Sequence, residues 1–346
     1  MLITNNSWLF NKKIFRWKEA QEMEFMNVRY IVNPIAGKGQ GLIYGKNITD
    51  YYDKRNRPNP VAYTTESGSN SGFELGKKFA LEGIKRIGVL GGDGTLNGVQ
   101  NGIIASRVSF EARPAIGIIP LGTGNNASKN AKFLRIDSAH GIEKAINAVE
   151  NGAITSIDLG KLIWNGREQY FVTVVSGGFD AVITKTAAEL REKNQTSKIK
   201  SYFSAATKEI NSGFSSYRIK LKTPEFSIKE DLILIAILNG KTYGGNFKIC
   251  PKAKLTDGIL DTCKIRNFRR FKKIKSFITL FLALFGWHPI VPEVKLGKIV
   301  SLTLSSENKI PCEIDGEVLA PEELANEYRI DVVPSAAKFI VSSSRR

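Results

Sequence analysis

Cysteine is scarce in this sequence, and the few cysteines are scattered. Among 346 residues there are 3 cysteines, Cys250, Cys263 and Cys312, and no C-x-x-C pair. An odd number of distant thiols argues against a disulfide scaffold, and it makes a zinc site a poor expectation. We therefore expect reduced thiols in a cytoplasmic protein.

Long hydrophobic runs are also missing. The longest candidate, "SFITLFLALFGW" from Ser276 to Trp287, is shorter than the ~18 apolar residues that a membrane-spanning helix needs. The N-terminus mixes charges into its apolar residues and has no small-residue cleavage site, which argues against a secretory signal. We expect residues 1–26 to be an N-terminal extension, with Met23 and Met26 as alternative starts.

Acidic residues are too few to balance the basic ones. Lys and Arg number 50 against 33 for Asp and Glu, so the formal net charge is +17. Such an excess favours an anionic partner, whether a nucleic acid, an acidic membrane surface or a polyphosphate substrate. Because no DNA- or RNA-binding module is recognisable and the aromatics show no stacking pattern, we expect no nucleic-acid partner.

The basic residues are concentrated before the apolar segment at Ser276. Seven of them fall within twelve residues that contain no acid: Lys264, Arg266, Arg269, Arg270, Lys272, Lys273 and Lys275. A basic patch that leads into an aromatic, apolar segment suits the surface of an anionic bilayer. A buried helix with a solvated basic neck is the alternative. We expect peripheral association with an anionic membrane, and the oligomeric state stays open, with a homodimer among the alternatives.

The order of apolar runs divides the chain. Residues 27–154 alternate near-continuous apolar strands with helical patterns, which predicts a parallel sheet covered on both faces. Residues 155–326 contain short strands separated by turn residues, which predicts an antiparallel β-sandwich. We expect the last segment, 327–346, to be a strand that packs back on the first domain. The predicted fold class is an α/β nucleotide-binding domain plus a C-terminal antiparallel β-sandwich.

Three predicted strands of the first half end in turns rich in Gly, Asn and Thr. These turns read "NPIAGKGQG", "GGDGTLN" and "PLGTGNN". Ligands of open parallel sheets bind beyond the carboxyl ends of the strands, where glycines and helix N-termini admit phosphate. Asp93 in the middle turn would repel phosphate unless Mg²⁺ bridges the two. Taken singly, each turn could be a plain tight turn, Lys38 a solvated lysine and Asp93 a helix N-cap.

Two familiar nucleotide motifs are excluded. No G-x-x-x-x-G-K-[ST] sequence occurs, and no G-x-G-x-x-G follows the first strand with an acid about 20 residues later. The three turns, in their order and spacing, instead resemble the diacylglycerol kinase catalytic domain superfamily. The later motifs "SGGFDAVIT", "NGKTYGGNFKICPKAKLTDGILD" and "EIDGE" are similar to its bacterial lipid kinase branch. The resemblance covers about residues 27–341.

This resemblance implies an ATP-dependent kinase that phosphorylates a lipid hydroxyl, such as that of diacylglycerol, in a cleft between the two domains. It implies a general base at Glu317, with Asp93 as the rival base, and a structural Mg²⁺ held by the Asp257 carboxylate and the backbone carbonyls of Lys254 and Ile259. The nucleotide-binding positions that it implies are Asn33, Lys38, Thr64, Gly91, Gly92, Asp93, Gly94, Thr95, Leu96, Asn97, Gly122 and Thr123.

The sequence departs from the family pattern at two acidic positions. Gly98 replaces the glutamate of G-G-D-G-T-x-N-E, and Asn126 replaces the aspartate of G-T-x-N-D-F-A. The loss of these two acids puts a second metal ion or the hydrogen bonds around the nucleotide in question, but not the loop itself. Two other functions remain open: a soluble-substrate kinase of the NAD kinase type, which shares the GGDGT loop, and a non-catalytic basic nucleotide or nucleic-acid binder.

Overall fold

The computed structural model describes residues 27–65, 69–121, 130, 141–194, 198–244, 247–268 and 271–341. Within this part of the chain, fifteen strands join in one mixed sheet. The strands are β1 Val28–Val32, β2 Val61–Tyr63, β3 Arg86–Gly91, β4 Ala115–Pro120, β5 Ala153–Trp164, β6 Arg167–Phe171, β7 Val174–Gly178, β8 Tyr217–Lys222, β9 Ser227–Leu238, β10 Leu260–Arg266, β11 Val294–Ile299, β12 Ser301–Ser306, β13 Cys312–Ile314, β14 Glu317–Val318 and β15 Glu327–Val341. The α-helices are α1 Gln40–Asp53, α2 Ser69–Leu81, α3 Asp93–Ala105, α4 Ile142–Asn151, α5 Phe179–Asn194, α6 Lys198–Ser212 and α7 Lys272–Phe285.

The first half is a parallel sheet with the strand order β4-β3-β1-β2. Its central strands are buried on both faces, as their uninterrupted Val, Ile and Leu runs predict. Helices α2 and α3 pack closely because Gly102 has no side chain: a Cβ there would lie 2.0 Å from the carbonyl oxygen of Phe73. This tight pair holds the N-terminus of α3 at the end of β3.

The second half is antiparallel. Strands β14, β13, β7, β9, β8, β12 and β15 follow one another across the sheet, with β10–β11 and β5–β6 branching from it. One apolar cluster fills the space between its strands, and a second lies beneath helices α5, α6 and α7. The predicted fold class, an α/β half followed by an antiparallel half, is confirmed.

Strand β15 connects the two halves. It pairs in parallel with β4 at Phe339 and Ile116, and it pairs antiparallel with β5 and β12. The register shifts between Val333 and Ala337, where Ser335 has a positive φ of 49° and its N–H bonds to Asp158 Oδ1 at 2.8 Å. The C-terminal segment therefore lies beside the first half, while the domain boundaries named above stay a prediction.

Cys250, Cys263 and Cys312 are buried and unpaired, and burial raises the pKa of each thiol, that of Cys263 to about 12. Among the helices that the structure describes, none is both long enough and apolar enough to span a bilayer.

Candidate active site

The GGDGT turn lies between the end of β3 and the start of α3. Gly91 ends the strand, Gly92 is the helix N-cap, and Asp93 is the first helical residue. The structure thus places Gly92, rather than Asp93, at the N-cap. The Asp93 carboxylate is half-buried beside the helix N-terminus, where first-turn N–H groups carry partial positive charge. An anionic ligand at this turn would meet both these N–H groups and the carboxylate.

The first glycine-rich turn is tied to the GGDGT turn by Asn33. Its Nδ2 donates to Thr95 Oγ1 at 3.2 Å, and its backbone N–H donates to the Leu90 carbonyl at 2.8 Å. Its Oδ1 accepts the N–H of Ile35. Farther along the turn, Lys38 is exposed and has a left-handed backbone, with φ of 62°. Asn33 therefore shapes the site from within, whereas Lys38 stands at its open side.

Thr64 lies on the same side of the sheet, directly after β2. Its N–H donates to the Val32 carbonyl at 2.8 Å, but its buried Oγ1 has no hydrogen-bond partner among the described residues. A buried hydroxyl without a partner costs about 1–3 kcal/mol. Such a group is suited to a polar ligand. The other two nucleotide-binding positions on this edge, Gly122 and Thr123, lie outside the described residues.

The side chains of two other residues in the GGDGT turn contact other parts of the protein. The Leu96 side chain is buried in the apolar core. The Asn97 amide donates to Asp315 Oδ2 at 2.7 Å and to the Tyr170 carbonyl at 3.1 Å, and its Oδ1 accepts from Gln169 at 3.0 Å. Asn97 thus links the two halves of the chain. Contact of either residue with a nucleotide stays a prediction, and Leu96 offers only its backbone.

Glu317 is presented by a two-residue turn between β13 and β14. Both central residues, Asp315 and Gly316, have positive φ values of 50° and 93°, which is the type I′ geometry that Asp-Gly favours. The same turn places Glu317 against the GGDGT loop: a Cβ added to Gly94 would lie 2.7 Å from Glu317 Oε1. The glycine at position 94 therefore leaves room for this carboxylate.

Asp315 anchors the turn, and sequence analysis did not single it out. Its carboxylate accepts four N–H bonds of 2.7–2.9 Å, from Asn97 Nδ2 and from the backbone of Val172, Thr173 and Val174. Burial raises the pKa of Asp315, while these four donors favour its ionised form. The Asp-Gly pair was the available signal for the turn, but its buried partners are more than 140 residues away in sequence.

Beside Glu317 lies an open cleft of about 650 Å³. Its walls come from both halves of the chain and include Asn97, Gly98, Arg167 and Gln169. Gly98, where the family pattern has glutamate, contributes no side chain to this wall. The cleft therefore leaves room for a ligand beside Glu317.

A second polar group of residues lies directly behind the Asp315–Gly316 turn. Glu313 Oε2 accepts the Gly316 N–H at 2.6 Å, and Ser176 Oγ contacts both Glu313 Oε1, at 2.9 Å, and Asp180. Ser176 has one hydroxyl proton for two carboxyl groups, so one carboxyl must itself carry a proton. Burial raises the pKa of both Asp180 and Glu313, and the nearby Asp180 charge raises that of Glu313 further.

This polar chain reaches an apolar cavity. Tyr202 donates its hydroxyl proton to Asp180, so the 2.7 Å contact between the Tyr202 and Tyr243 hydroxyls has Tyr243 as the donor. Asp180, Tyr202 and Tyr243 line one part of a cavity of about 90 Å³, whose other walls are almost entirely apolar. Hydrogen bonds therefore connect this cavity, through Ser176 and Glu313, to the turn that carries Glu317.

The predicted metal positions form a turn after residue 253. Asp257 has one carboxylate oxygen, Oδ2, 3.8 Å from Lys298 Nζ. The other, Oδ1, is buried and has no hydrogen-bond partner in the described part of the chain. Asp261 also has a buried oxygen without a partner, and burial raises its pKa, with Lys298 opposing and Asp257 adding to the rise. Asp158 holds the turn by accepting the Gly258 N–H at 2.7 Å. The Lys254 side chain is exposed, and Ile259 is half-buried.

Comparison with protein families agrees with this arrangement. Residues 27–162 match the diacylglycerol kinase catalytic domain, and residues 173–341 match the YegS C-terminal NAD kinase beta sandwich-like domain. The chain is 28% identical over 293 residues to a protein of Chromohalobacter salexigens named "Probable lipid kinase YegS-like", covering 80% of this chain and 81% of the relative. It is 25% identical over 305 residues to a protein of Bacillus subtilis named diacylglycerol kinase, covering 87% and 93%.

Solved structures share the fold. One crystal structure from Bacillus anthracis superposes with a TM-score of 0.70 at 22% identity, covering 92% of this chain and 98% of its own. A diacylglycerol kinase from the same organism gives a TM-score of 0.63 at 19% identity, covering 92% and 97%. Because the two domain matches follow one another along the chain and together include most of its residues, the protein belongs to the bacterial lipid kinase branch of the diacylglycerol kinase catalytic domain superfamily.

Proposed function

We propose that this protein transfers the γ-phosphate of ATP to the hydroxyl of a lipid, with diacylglycerol as the first candidate, and that Glu317 is the general base. The kinase family supports phosphoryl transfer to an alcohol. The names of its relatives, lipid kinase and diacylglycerol kinase, support the lipid acceptor.

The observation that carries the proposal is the position of Glu317. Its Oε1 lies against Gly94 in the GGDGT loop, although the two residues belong to different halves of the chain. Phosphoryl transfer depends mostly on positioning and on neutralising charge, so one well-placed carboxylate suffices as the base. Glu317 would accept the acceptor's hydroxyl proton while the new O–P bond forms and the bond from the γ-phosphorus to the ADP oxygen breaks.

The glycine-rich turns would hold the triphosphate. The first-turn N–H groups of α3 and the backbone of Gly91, Gly92 and Gly94 offer donors without side chains in the way. Thr64 would contribute its unpartnered hydroxyl and Lys38 a positive charge from the open side. Asp93, beside the same N–H groups, would face the cation that accompanies ATP.

Mg²⁺ fits the residues that the family resemblance names. Asp257 offers a buried carboxylate oxygen without a protein partner, and the neighbouring Asp261 offers a second, which together suit a hard divalent cation. The backbone carbonyls of Lys254 and Ile259 would complete the set. When bound, Mg²⁺ would neutralise charge, on the ATP phosphates near Asp93 and on the carboxylates at the Asp257 turn. Asp158 would keep that turn in place through its bond to the Gly258 N–H.

Lipid labelling tests the proposal directly. The purified chain is incubated with ATP labelled on the γ-phosphate, Mg²⁺ and diacylglycerol in detergent micelles, and the organic phase is counted. We expect label in the organic phase that is lost on chelation with EDTA and in Asp93→Asn. A lipid panel without any labelled product would refute the lipid acceptor.

NADP formation from NAD and ATP, measured in the same preparation, distinguishes the NAD kinase alternative, which we expect to give no product. Salt-sensitive binding of an oligonucleotide, with no transfer to any acceptor, would instead favour the non-catalytic binder.

A further inference from the structure

Helix α7 has an apolar face that no other part of the described chain covers. Ile274, Ile278, Phe281 and Phe285 follow the spacing i, i+4, i+7, i+11, which places them on one side of the helix. Each of them is between 47% and 60% exposed. Their exposure is unusual because apolar side chains at this spacing normally face a protein core.

The exposed face continues past both ends of the helix. Phe271 precedes it and is 72% exposed, whereas Trp287 and Ile290 follow it and are 62% and 73% exposed. Phe285 packs between Phe281 and Trp287, with ring centroids 5.4 Å and 5.3 Å apart. We call these seven residues, Phe271, Ile274, Ile278, Phe281, Phe285, Trp287 and Ile290, the α7 stripe. A contiguous apolar surface of this kind marks an interaction site.

The opposite face of α7 is bound to the protein. Ser276, Thr279 and Ala283 are buried, and both hydroxyls bond back to helix carbonyls, those of Lys272 and Lys275. The same inner face forms a wall of the apolar cavity of about 90 Å³. The helix is therefore held firmly by one side, and the stripe is a fixed surface of the fold.

The charges near the stripe indicate which kind of partner it binds. No acidic residue occurs from Lys264 to Pro292. Lys264 and Arg266 share Glu230, and Lys275 pairs with Glu293, so two carboxylates offset two of these three positive charges. Lys272 and Lys273 instead donate to the backbone carbonyls of Phe214 and Asn211 at 2.8 Å, and these neutral acceptors leave their positive charge in place.

A further cation lies at the other end of the stripe. The exposed Lys248 has its backbone N–H bonded to the Ala283 carbonyl at 2.8 Å, and its Cβ lies beside Gly286. Positive charge thus lies near both ends of α7, and aromatic rings lie along the stripe. This combination matches an anionic bilayer surface, where apolar side chains enter the headgroup boundary and lysines contact the phosphates.

We propose that the α7 stripe docks the protein on an anionic lipid bilayer, with α7 parallel to the surface. The helix has 14 residues, about 21 Å at 1.5 Å per residue, so it lies in the interface and does not span it. Docking by this face places the apolar cavity directly behind the helix that contacts lipid. The inference rests on the proposed lipid kinase function for its purpose, but it is tested by binding alone.

Vesicle flotation without ATP measures docking by the full chain. Vesicles contain phosphatidylcholine with or without phosphatidylglycerol. We expect binding to the anionic vesicles and a loss of about tenfold or more in Ile278→Ser/Phe281→Ser. Lys248→Gln should weaken binding about fivefold, since a lysine at an anionic surface contributes about 1 kcal/mol. Phe226→Ser is the matched control, because Phe226 is 48% exposed in the turn between β8 and β9 and is not part of the stripe, and it should bind as the parent does.

Three results would overturn the docking proposal. The first is that the double variant binds vesicles as well as the parent does. The second is that the parent binds equally well with and without phosphatidylglycerol. The third is that the double variant has a lower molecular mass than the parent in the absence of lipid. The last would make the stripe a contact between two copies. Thermal unfolding of each variant, which should match the parent because the residues are exposed, verifies folding.

A water-soluble short-chain diacylglycerol separates this proposal from the proposed function. The double variant should phosphorylate this monomeric substrate at the parent's kcat while failing to bind vesicles. Docking without any phosphorylation by the parent would leave the stripe in place and refute the kinase. Phosphorylation with unchanged vesicle binding in the double variant would refute the stripe alone.

Discussion

Individual buried carboxylates stabilise the structure around the candidate active site. Asp315 accepts four N–H bonds and fixes the turn that presents Glu317, while Glu313 and Asp180 share the hydroxyl of Ser176 behind it. Buried acids are costly unless each oxygen finds a donor or a proton. The Asp315 carboxylate satisfies this requirement by accepting hydrogen bonds from N–H donors. The Asp180–Glu313 pair satisfies it because one of the two carboxyl groups retains a proton.

Replacing Asp315 with Asn should destabilise the fold and slow the reaction. One carboxylate oxygen becomes an NH₂ group that faces N–H donors, so about 2–4 kcal/mol of unfolding free energy should be lost. The turn that holds Glu317 loosens, and kcat should fall. Urea unfolding and lipid labelling measure the two effects. Asp231→Asn, at an exposed carboxylate, is the control and should stay within about 0.5 kcal/mol of the parent.

The Asp180–Glu313 pair predicts a specific dependence of stability on pH. Burial raises the pKa of Asp180 to about 6 and that of Glu313 well above its usual range. The folded state therefore binds more protons than the unfolded state, and this part of the stability is lost as pH rises through about 6. Relative to Asp180→Asn, the parent should lose unfolding free energy as pH rises from the ordinary aspartate pKa of 3.8 to about 6. A difference between the two that is constant across this range would contradict the retained proton.

At the scale of single elements, the GGDGT loop gives the sharpest test of how the halves meet. A methyl group at Gly94 would approach Glu317 Oε1 to 2.7 Å, whereas one at Gly92 meets no protein atom within 4 Å. Gly94→Ala should therefore displace the base and lower kcat at unchanged KM for ATP. Gly92→Ala should raise the KM for ATP, because its methyl group points toward the space assigned to the nucleotide. Steady-state kinetics distinguish the two effects, and identical effects would contradict the assignment.

The sequence predicts those elements whose formation depends on residues that are neighbours in the chain. The apolar run before Gly91, the glycines after it and the helix from Asp93 follow from neighbouring residues, as does the Asp-Gly turn before Glu317. The two faces of α7 were not resolved, because a single segment rich in Phe and Leu fits both a buried helix and an interfacial one. The structure shows that one face is buried and the other exposed.

For the whole molecule, β15 joins what the sequence divides into two domains. Its 15 residues pair with β5 and β12 of the second half and with β4 of the first. The Asn97–Asp315 bond adds a buried link across the same boundary. The sequence did not single out Asp315, Asp261 or the Ser176–Asp180–Glu313 cluster as site residues, although they lie in the quoted motifs. Most of their partners are distant in sequence and meet only in the folded chain, within the second half except for the Asn97–Asp315 bond.

This shared sheet predicts one cooperative unfolding transition for the two halves. Strand β15 pairs with β4 of the first half and with β5 and β12 of the second, so its loss removes strand pairing from both halves. Heat should therefore unfold the two halves together. Calorimetry should give equal calorimetric and van't Hoff enthalpies, and Asn97→Ala should lower the midpoint without splitting the peak. Two resolved peaks in the parent chain would contradict this prediction.

The most direct test of the interdomain active site is the rate of phosphoryl transfer in Glu317→Gln at saturating ATP and lipid. Glu322→Gln, an exposed glutamate nearby in sequence, is the matched control. If Glu317 takes the acceptor's proton, its loss should slow transfer by about 10²–10⁴-fold, with ATP affinity unchanged and Glu322→Gln equal to the parent. A Glu317→Gln enzyme that transfers phosphate at the parent's rate would show that the proton goes elsewhere.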